Sequence, residues 1–129
     1  MILGTGVDIV DIRRFQRMYE RHGDRLARHI LADQEWDSYR AQKKPYRFLA
    51  SRFAAKEAVV KAFGTGFGKG ITPRTIATVS NTLGAPALSL TGGAADKAQQ
   101  LGANRFHISL SDEASYVVAM VVIEKTSGV

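Results

Sequence analysis

Two periodicities divide this chain. Residues 2–10, ILGTGVDIV, are apolar with interspersed small residues and predict a strand. Its glycines, Gly4 and Gly6, allow another backbone to come close. Asp11 has the chemistry of a helix N-cap, its carboxylate accepting free amide hydrogens. Helical spacing follows over residues 12–31, with Ile12, Phe15, Tyr19, Leu26 and Ile30 on one stripe. Gly23 is a natural break into two helices. A short helix is expected around Gln34 to Ala41, and Pro45 marks a boundary. Residues 46–63, YRFLASRFAAKEAVVKAF, carry the strongest helical pattern, and GTGFGKG follows with glycine at 64, 66, 68 and 70.

The second half changes period. Residues 76–81 and 87–91 alternate like strands, with NTLGAP as a hairpin connection. Residues 93–101 predict a short alanine-rich helix. In RFHISLS at 105–111, Phe106, Ile108 and Leu110 point one way and His107, Ser109 and Ser111 the other. DEAS turns the chain into YVVAMVVIE, a strand expected to be buried on both faces or in an interface. The tail TSGV is expected to be loose. The order β-α-α-β-β-α-β-β predicts an α+β fold, one domain over residues 1–129. Its sheet should be mainly antiparallel, packed with one long helix and shorter helices.

Composition narrows the function classes. The chain has 129 residues, 45% of them hydrophobic and 23% charged, which is globular rather than disordered. Cysteine is absent, which excludes disulfides, thiolate metal sites and a cysteine nucleophile. No apolar run approaches a membrane span, and no basic region precedes the N-terminal apolar stretch as in a secretory signal. A soluble, cytoplasmic protein without a membrane partner is expected. The net charge is +6. Residues 1–69 hold fourteen basic and eight acidic residues, while 70–129 hold four of each. A basic first half attracts a polyanion: nucleic acid, an acidic protein or a phosphorylated small molecule.

Candidate chemistry sits on few residues. At 100° per position, Phe48, Leu49, Phe53, Val59, Val60 and Phe63 cover more than half of the long helix. The remaining face places Glu57 and Lys61 among Ala50, Ala54 and Ala58, small neighbours that leave room for something to approach. An ordinary Glu–Lys pair four residues apart is the plainer alternative. The glycine run follows its helix, unlike a phosphate loop that opens one, so Gly64 reads as a left-handed C-cap. The further glycines suit a loop lying close to a ligand or another chain. Asp8 ends an apolar strand, where an acid needs a partner. With Glu57 it would offer oxygen ligands for Mg²⁺, completed by water and phosphate. His107 is either an exposed sheet histidine or a phosphate contact. A triad with Asp112 lacks any nucleophile elbow. Arg14, Met18, Arg21, Arg25 and Arg28 form a second stripe. It is either solvated or built to grip an acidic partner with an apolar patch.

GTGVDIV at 4–10, SRFAAKEAVVKAFGTG at 51–66, and HISLSD followed by VVAMVVIE together resemble one family. It is the holo-acyl carrier protein synthases, the small type of 4′-phosphopantetheinyl transferase. The resemblance runs from end to end and implies transfer of phosphopantetheine from coenzyme A to a serine of apo-acyl carrier protein, for fatty acid synthesis. It implies Asp8 and Glu57 as Mg²⁺ ligands and Lys61 as the cation beside the reacting phosphate. His107 would contact the phosphates of coenzyme A, and Lys43, Lys44 and Arg52 would form positive ground for the 3′-phosphate. Gly64, Thr65 and Gly66 would lie along the cofactor. Arg14, Met18, Arg21 and Arg25 would dock the carrier protein. Glu57 is the first candidate for the base that takes the serine proton, directly or through a water, and Asp37 the second. The family also implies a homotrimer with active sites between subunits. HISLSDEAS departs from members with a His-Thr pair after the serine, which touches only local loop contacts. A basic nucleic-acid-binding module is the alternative from the charge, without a matching motif. A purely structural trimer would leave Glu57 and Lys61 unexplained.

Overall fold

Residues 1–127, the part that the computed structural model describes, form five strands and five α-helices; the strands and the last helix follow the predicted order, with four helices in place of two between the first and second strands. β1 (Ile2–Asp11) leads into α1 (Ile12–His22) and α2 (Asp24–Ile30). Asp11 caps α1 as expected, accepting from the Arg13 backbone N–H at 2.9 Å. Gly23 divides the helices at φ 53°, a left-handed value that a side chain rarely adopts. A 3₁₀ turn (Asp33–Glu35) and α3 (Trp36–Arg40) precede α4 (Pro45–Phe63). Pro45 occupies the first turn of α4, where its missing N–H costs nothing.

A second 3₁₀ turn (Pro73–Thr75) opens β2 (Ile76–Ser80), which pairs with β3 (Pro86–Leu90). Asn81 shapes their connection, its Oδ1 accepting from the Leu83 and Ala85 backbone at 2.9 and 3.0 Å. After α5 (Gly92–Leu101) come β4 (Arg105–Asp112) and β5 (Tyr116–Glu124). Both sheets are antiparallel. One is β2–β3, and the other runs β1–β5–β4 with β5 central.

α4 is the axis of the core. Leu49, Val59 and Val60 are fully enclosed, and so are Ala50, Ala54 and Ala58. The alanine face therefore does not hold open a space for a ligand. β1 fills it. A Cβ on Gly6 would lie 1.9 Å from the Ala58 carbonyl oxygen, and one on Gly4 2.0 Å from that of Ala62. The glycines of β1 and the alanines of α4 are complementary halves of one backbone-to-backbone contact.

β5 is not buried on both faces within the chain, which leaves the interface alternative for its outer side. Val117, Ala119, Val121 and Ile123 face α4 and are buried, but the opposite face of the sheet is open. There Val7, Ile9, Tyr116 and Met120 are 57%, 64%, 44% and 46% exposed. Register sets Val7 opposite Met120 and Ile9 opposite Val118, so the outer face is a continuous apolar surface. Of the tail TSGV, Thr126 is tied down by Asn104, whose Oδ1 accepts from its backbone N–H at 2.9 Å. Residues 128 and 129 lie outside the described residues.

Candidate active site

The approach of β1 to α4 sets the site. Side chains alternate along a strand, so Gly4, Gly6, Asp8 and Val10 share the face toward α4. Two small steps in that row bring β1 near the helix, and the next position delivers Asp8 beside Lys61. The Lys61 ammonium donates to Asp8 Oδ1 at 2.9 Å and to the Val7 carbonyl at 3.0 Å. Lys61 is thus paired across to β1, not back to Glu57 along its own helix. Asp8 is mostly enclosed, while half of the Lys61 side chain meets solvent.

Glu57 is the third member of the cluster. Burial pushes its carboxyl above the ordinary range, the Asp8 charge pushes it further, and Lys61 partly offsets both. Two carboxylates near enough to repel, with one cation between elements, form an oxygen-donor set that suits a hard dication. No cluster of three or more His, Asp or Glu residues exists among the described residues. A pair of carboxylates is compatible with Mg²⁺, which is held by one or two carboxylates with water and substrate phosphate for the rest.

Gly64 terminates α4 in the left-handed conformation, φ 77°, as its place after the helix predicts. Gly66, Gly68, Lys69 and Gly70 also have positive φ, so the loop is built from turns that side chains disfavour. Thr65, Phe67 and Lys69 of this loop line a cleft of about 650 Å³ together with Gly93, Asp96 and Lys97 of α5. The cleft adjoins the end of α4 that carries Lys61.

Other expected residues lie apart from this cluster within one chain. His107 is on the outer face of β4, opposite the face that carries Asp8, and its Nε2–H donates to Glu124 at 2.8 Å. That bond holds the Glu124 carboxyl below its ordinary range. Lys43 and Lys44 are exposed just before α4. Lys44 precedes Glu57 by thirteen residues, about 20 Å along the helix. Arg52 is not exposed positive ground. Its guanidinium stacks 4.3 Å above the Phe48 ring and lines a cavity of about 200 Å³ with Ser51, Ser111 and Asp112. Burial lowers its pKa, Glu35 opposes that, and its Nε is buried without a hydrogen-bond partner. Asp37 sits exposed on α3.

The arginine stripe is real but divided. Arg14, Arg17, Met18 and Arg21 line a groove of about 520 Å³ on α1. Gly23 breaks the row there, and Arg25 on α2 reaches back to His22 Nδ1 at 2.8 Å.

One buried pair was not anticipated. Lys56 has no exposed surface, and Glu35 is 1% exposed. The Lys56 ammonium donates to Glu35 Oε1 at 2.6 Å, to the Pro73 carbonyl at 2.9 Å and to the Ile76 carbonyl. Burial lowers the Lys56 pKa and the Glu35 carboxylate opposes that shift. A signal existed: at 100° per residue, Lys56 falls within the arc of Leu49, Val60 and Phe63. Glu35 gave none, because a short polar turn does not announce burial.

Comparison with known proteins places the chain among relatives of one kind of enzyme. Residues 4–121 match the 4′-phosphopantetheinyl transferase superfamily. A holo-[acyl-carrier-protein] synthase of Photorhabdus laumondii is 48% identical over 124 residues, 96% of this chain and 98% of the relative. The crystal structure of holo-[acyl-carrier-protein] synthase from Neisseria meningitidis superposes with a TM-score of 0.88 at 40% identity. It covers 97% of this chain and all of that one. A Bacillus anthracis holo-(acyl-carrier-protein) synthase, solved in complex with CoA (3′,5′-ADP), gives 0.81 at 32% identity over 98% of this chain and 99% of its own.

Proposed function

The chain belongs to the 4′-phosphopantetheinyl transferase superfamily, among the holo-[acyl-carrier-protein] synthases, and from that membership we propose how its residues carry out the reaction. The enzyme transfers 4′-phosphopantetheine from coenzyme A to a serine of apo-acyl carrier protein, giving the holo form and adenosine 3′,5′-bisphosphate. Fatty acid synthesis in the cytoplasm, by one domain over residues 1–129, is the setting proposed for it. The observation that carries the site is the cluster of Asp8, Glu57 and Lys61 at the seam of β1 and α4.

The serine oxygen forms a bond to the β-phosphorus of the pyrophosphate, and the bond from that phosphorus to the bridging oxygen breaks. The electron pair leaves with adenosine 3′,5′-bisphosphate. Such a reaction asks for alignment and for charge neutralisation. Asp8 and Glu57 would hold Mg²⁺, which when bound neutralises phosphate charge. Lys61, whose ammonium already lies between helix and strand, turns from Asp8 to the phosphate oxygens. Glu57 takes the serine proton. Its place beside Asp8 and Lys61 at the seam sets it next to the reacting phosphate, within reach of the serine hydroxyl directly or through a water. Gly64, Thr65 and Gly66 lie along coenzyme A beside the cleft of the glycine loop.

His107, Lys43 and Lys44 complete this site from a second copy of the chain. The open apolar face of the sheet supports a homotrimer, because a patch of this kind on a free monomer is unusual. His107 lies on that same face. The groove of Arg14, Met18 and Arg21, with Arg25 at its end, receives the acidic carrier protein.

The deciding experiment is incubation with coenzyme A, Mg²⁺ and apo-acyl carrier protein, followed by intact mass. The carrier protein should gain one phosphopantetheine group. An unchanged mass with folded enzyme refutes the reading.

A further inference from the structure

Lys56 and Glu35 are buried charges to which phosphoryl transfer gives no task. An ammonium is costly to bury unless its protons are bonded, and Lys56 uses all three. Two of its acceptors are the backbone carbonyls of Pro73 and Ile76, at either end of the second 3₁₀ turn. Glu35 aims the ammonium, and its carboxylate also accepts from the Ala32 N–H at 2.9 Å and the Thr78 N–H at 3.0 Å. One ion pair thus joins α4 to the 32–35 turn, the 73–76 segment and β2.

The 73–76 segment is where the glycine loop returns. The loop leaves α4 at Gly64, eight residues or about 12 Å of helix beyond Lys56, and comes back to the level of Lys56 itself. Between these ends little holds it. Residues 64–70 are exposed, and the mutual backbone bonds of Gly68 and Ile71 are internal to the loop. Ile71 is its buried anchor, and Gly70 rests against Gly93. The capped helix end fixes where the loop starts. The Lys56 ammonium fixes where it ends.

We infer that Lys56, aimed by Glu35, is a positioning residue that seats the 64–72 loop and thereby sets the affinity for coenzyme A. This rests on the reading of Gly64–Gly66 as backbone along the cofactor. Lys56 touches no reacting atom, and its effect passes through the carbonyls of Pro73 and Ile76 to the loop between them and Lys61.

Two variants test it. Lys56→Met removes the three bonds at similar side-chain length. Glu35→Gln with Lys56→Met also removes the buried charge that the single variant leaves without its lysine, with only two backbone N–H groups and the more distant Arg52 beside it. Each folded variant is measured for coenzyme A binding by calorimetry, for both KM values, and for amide hydrogen exchange. Coenzyme A should bind about tenfold more weakly or worse, with the carrier-protein KM changed by less than about twofold. Exchange should quicken over 64–76 while β1 and β5 stay protected. A purely structural pair would lower the melting temperature, quicken exchange throughout and leave coenzyme A affinity per folded molecule unchanged. That result overturns the inference, as does failure of both variants to fold. If the wild-type protein binds no coenzyme A, the cofactor reading falls, and the exchange pattern over 64–76 decides the role of Lys56 separately.

Discussion

Alanine at position 6 should separate β1 from α4 and, with it, Asp8 from Glu57 and Lys61. The new methyl group would sit 1.9 Å from the Ala58 carbonyl oxygen and 2.9 Å from the Ala62 nitrogen. Ordinary Cβ contacts do not fall below 3.0 Å, so the elements must part by about 1.1 Å or more. Both obstructing atoms are helix backbone, and Ala58 is fully enclosed, so no side chain can yield. Overpacking of this kind costs about 1–3 kcal/mol. For a chain of this size that lowers the melting temperature by about 4–12 °C. The fold survives, since domains are typically stable by about 5–15 kcal/mol. The site does not: the 2.9 Å bond from Lys61 to Asp8 opens beyond hydrogen-bond range. A displacement near 1 Å costs about a hundredfold in rate. Circular dichroism gives the melt, and transfer is measured at saturating coenzyme A well below it. Gly23→Ala is the control. Gly23 has φ 53° and nothing within 4 Å of an added Cβ, so it bears backbone strain alone and should keep wild-type turnover. Wild-type turnover by Gly6→Ala, with a melt within about 2 °C, would refute the claim that these glycines set the site.

Glu57→Gln should leave the fold intact and reduce transfer about a hundredfold or more. Mg²⁺ should raise the melting temperature of the wild type and not of this variant, and an equal rise in both removes Glu57 as a metal ligand. Arg14→Glu and Arg21→Glu should raise the carrier-protein KM, leave the coenzyme A KM nearly alone, and lose their effect as salt rises. An unchanged carrier-protein KM in both sinks the docking groove. Met120→Glu on the open sheet face should give a single-chain mass by light scattering with lost activity, whereas a trimeric, active variant would rule out that face as the interface. Glu124 has a depressed pKa, so its bond to His107 contributes stability above the usual carboxylate range and loses it as pH falls through the folded-state value. His107→Ala should move the Glu124 titration upward, and an unmoved carbon resonance for that carboxyl would show the pair to be inert.

Local signals in the chain were sufficient for most elements. Asp11, Gly23, Pro45 and Gly64 punctuate the helices where their side-chain and backbone chemistry requires. What failed concerned partners distant in sequence. Ala50, Ala54 and Ala58 promised space, and the occupant was a strand some fifty residues earlier. Gly4 and Gly6 announced a close approach without saying whose. YVVAMVVIE hid its open face because Tyr116, Val118, Met120 and Val122 are apolar, so no polar alternation marked the outside. Asp8, Glu57 and Lys61 do gather as one cluster, whereas His107 required knowledge of which sheet face it occupies. The burial of Lys56 is legible in the apolar arc it shares with Leu49, Val60 and Phe63, but its partner Glu35 comes from a tertiary contact that no local pattern encodes.

The opposite placement of Glu57 and His107 has a genetic consequence. If each site takes its acidic cluster from one chain and its histidine from the outer face of the next, the two defects belong to different halves of the site. Glu57→Gln chains keep a sound outer face, and His107→Ala chains keep a sound acidic seam. Inactive preparations of each, unfolded together and reassembled, would then form mixed rings in which some junctions join two sound halves. Activity would reappear from two dead proteins, and a cell carrying both alleles would fare better than a cell carrying either.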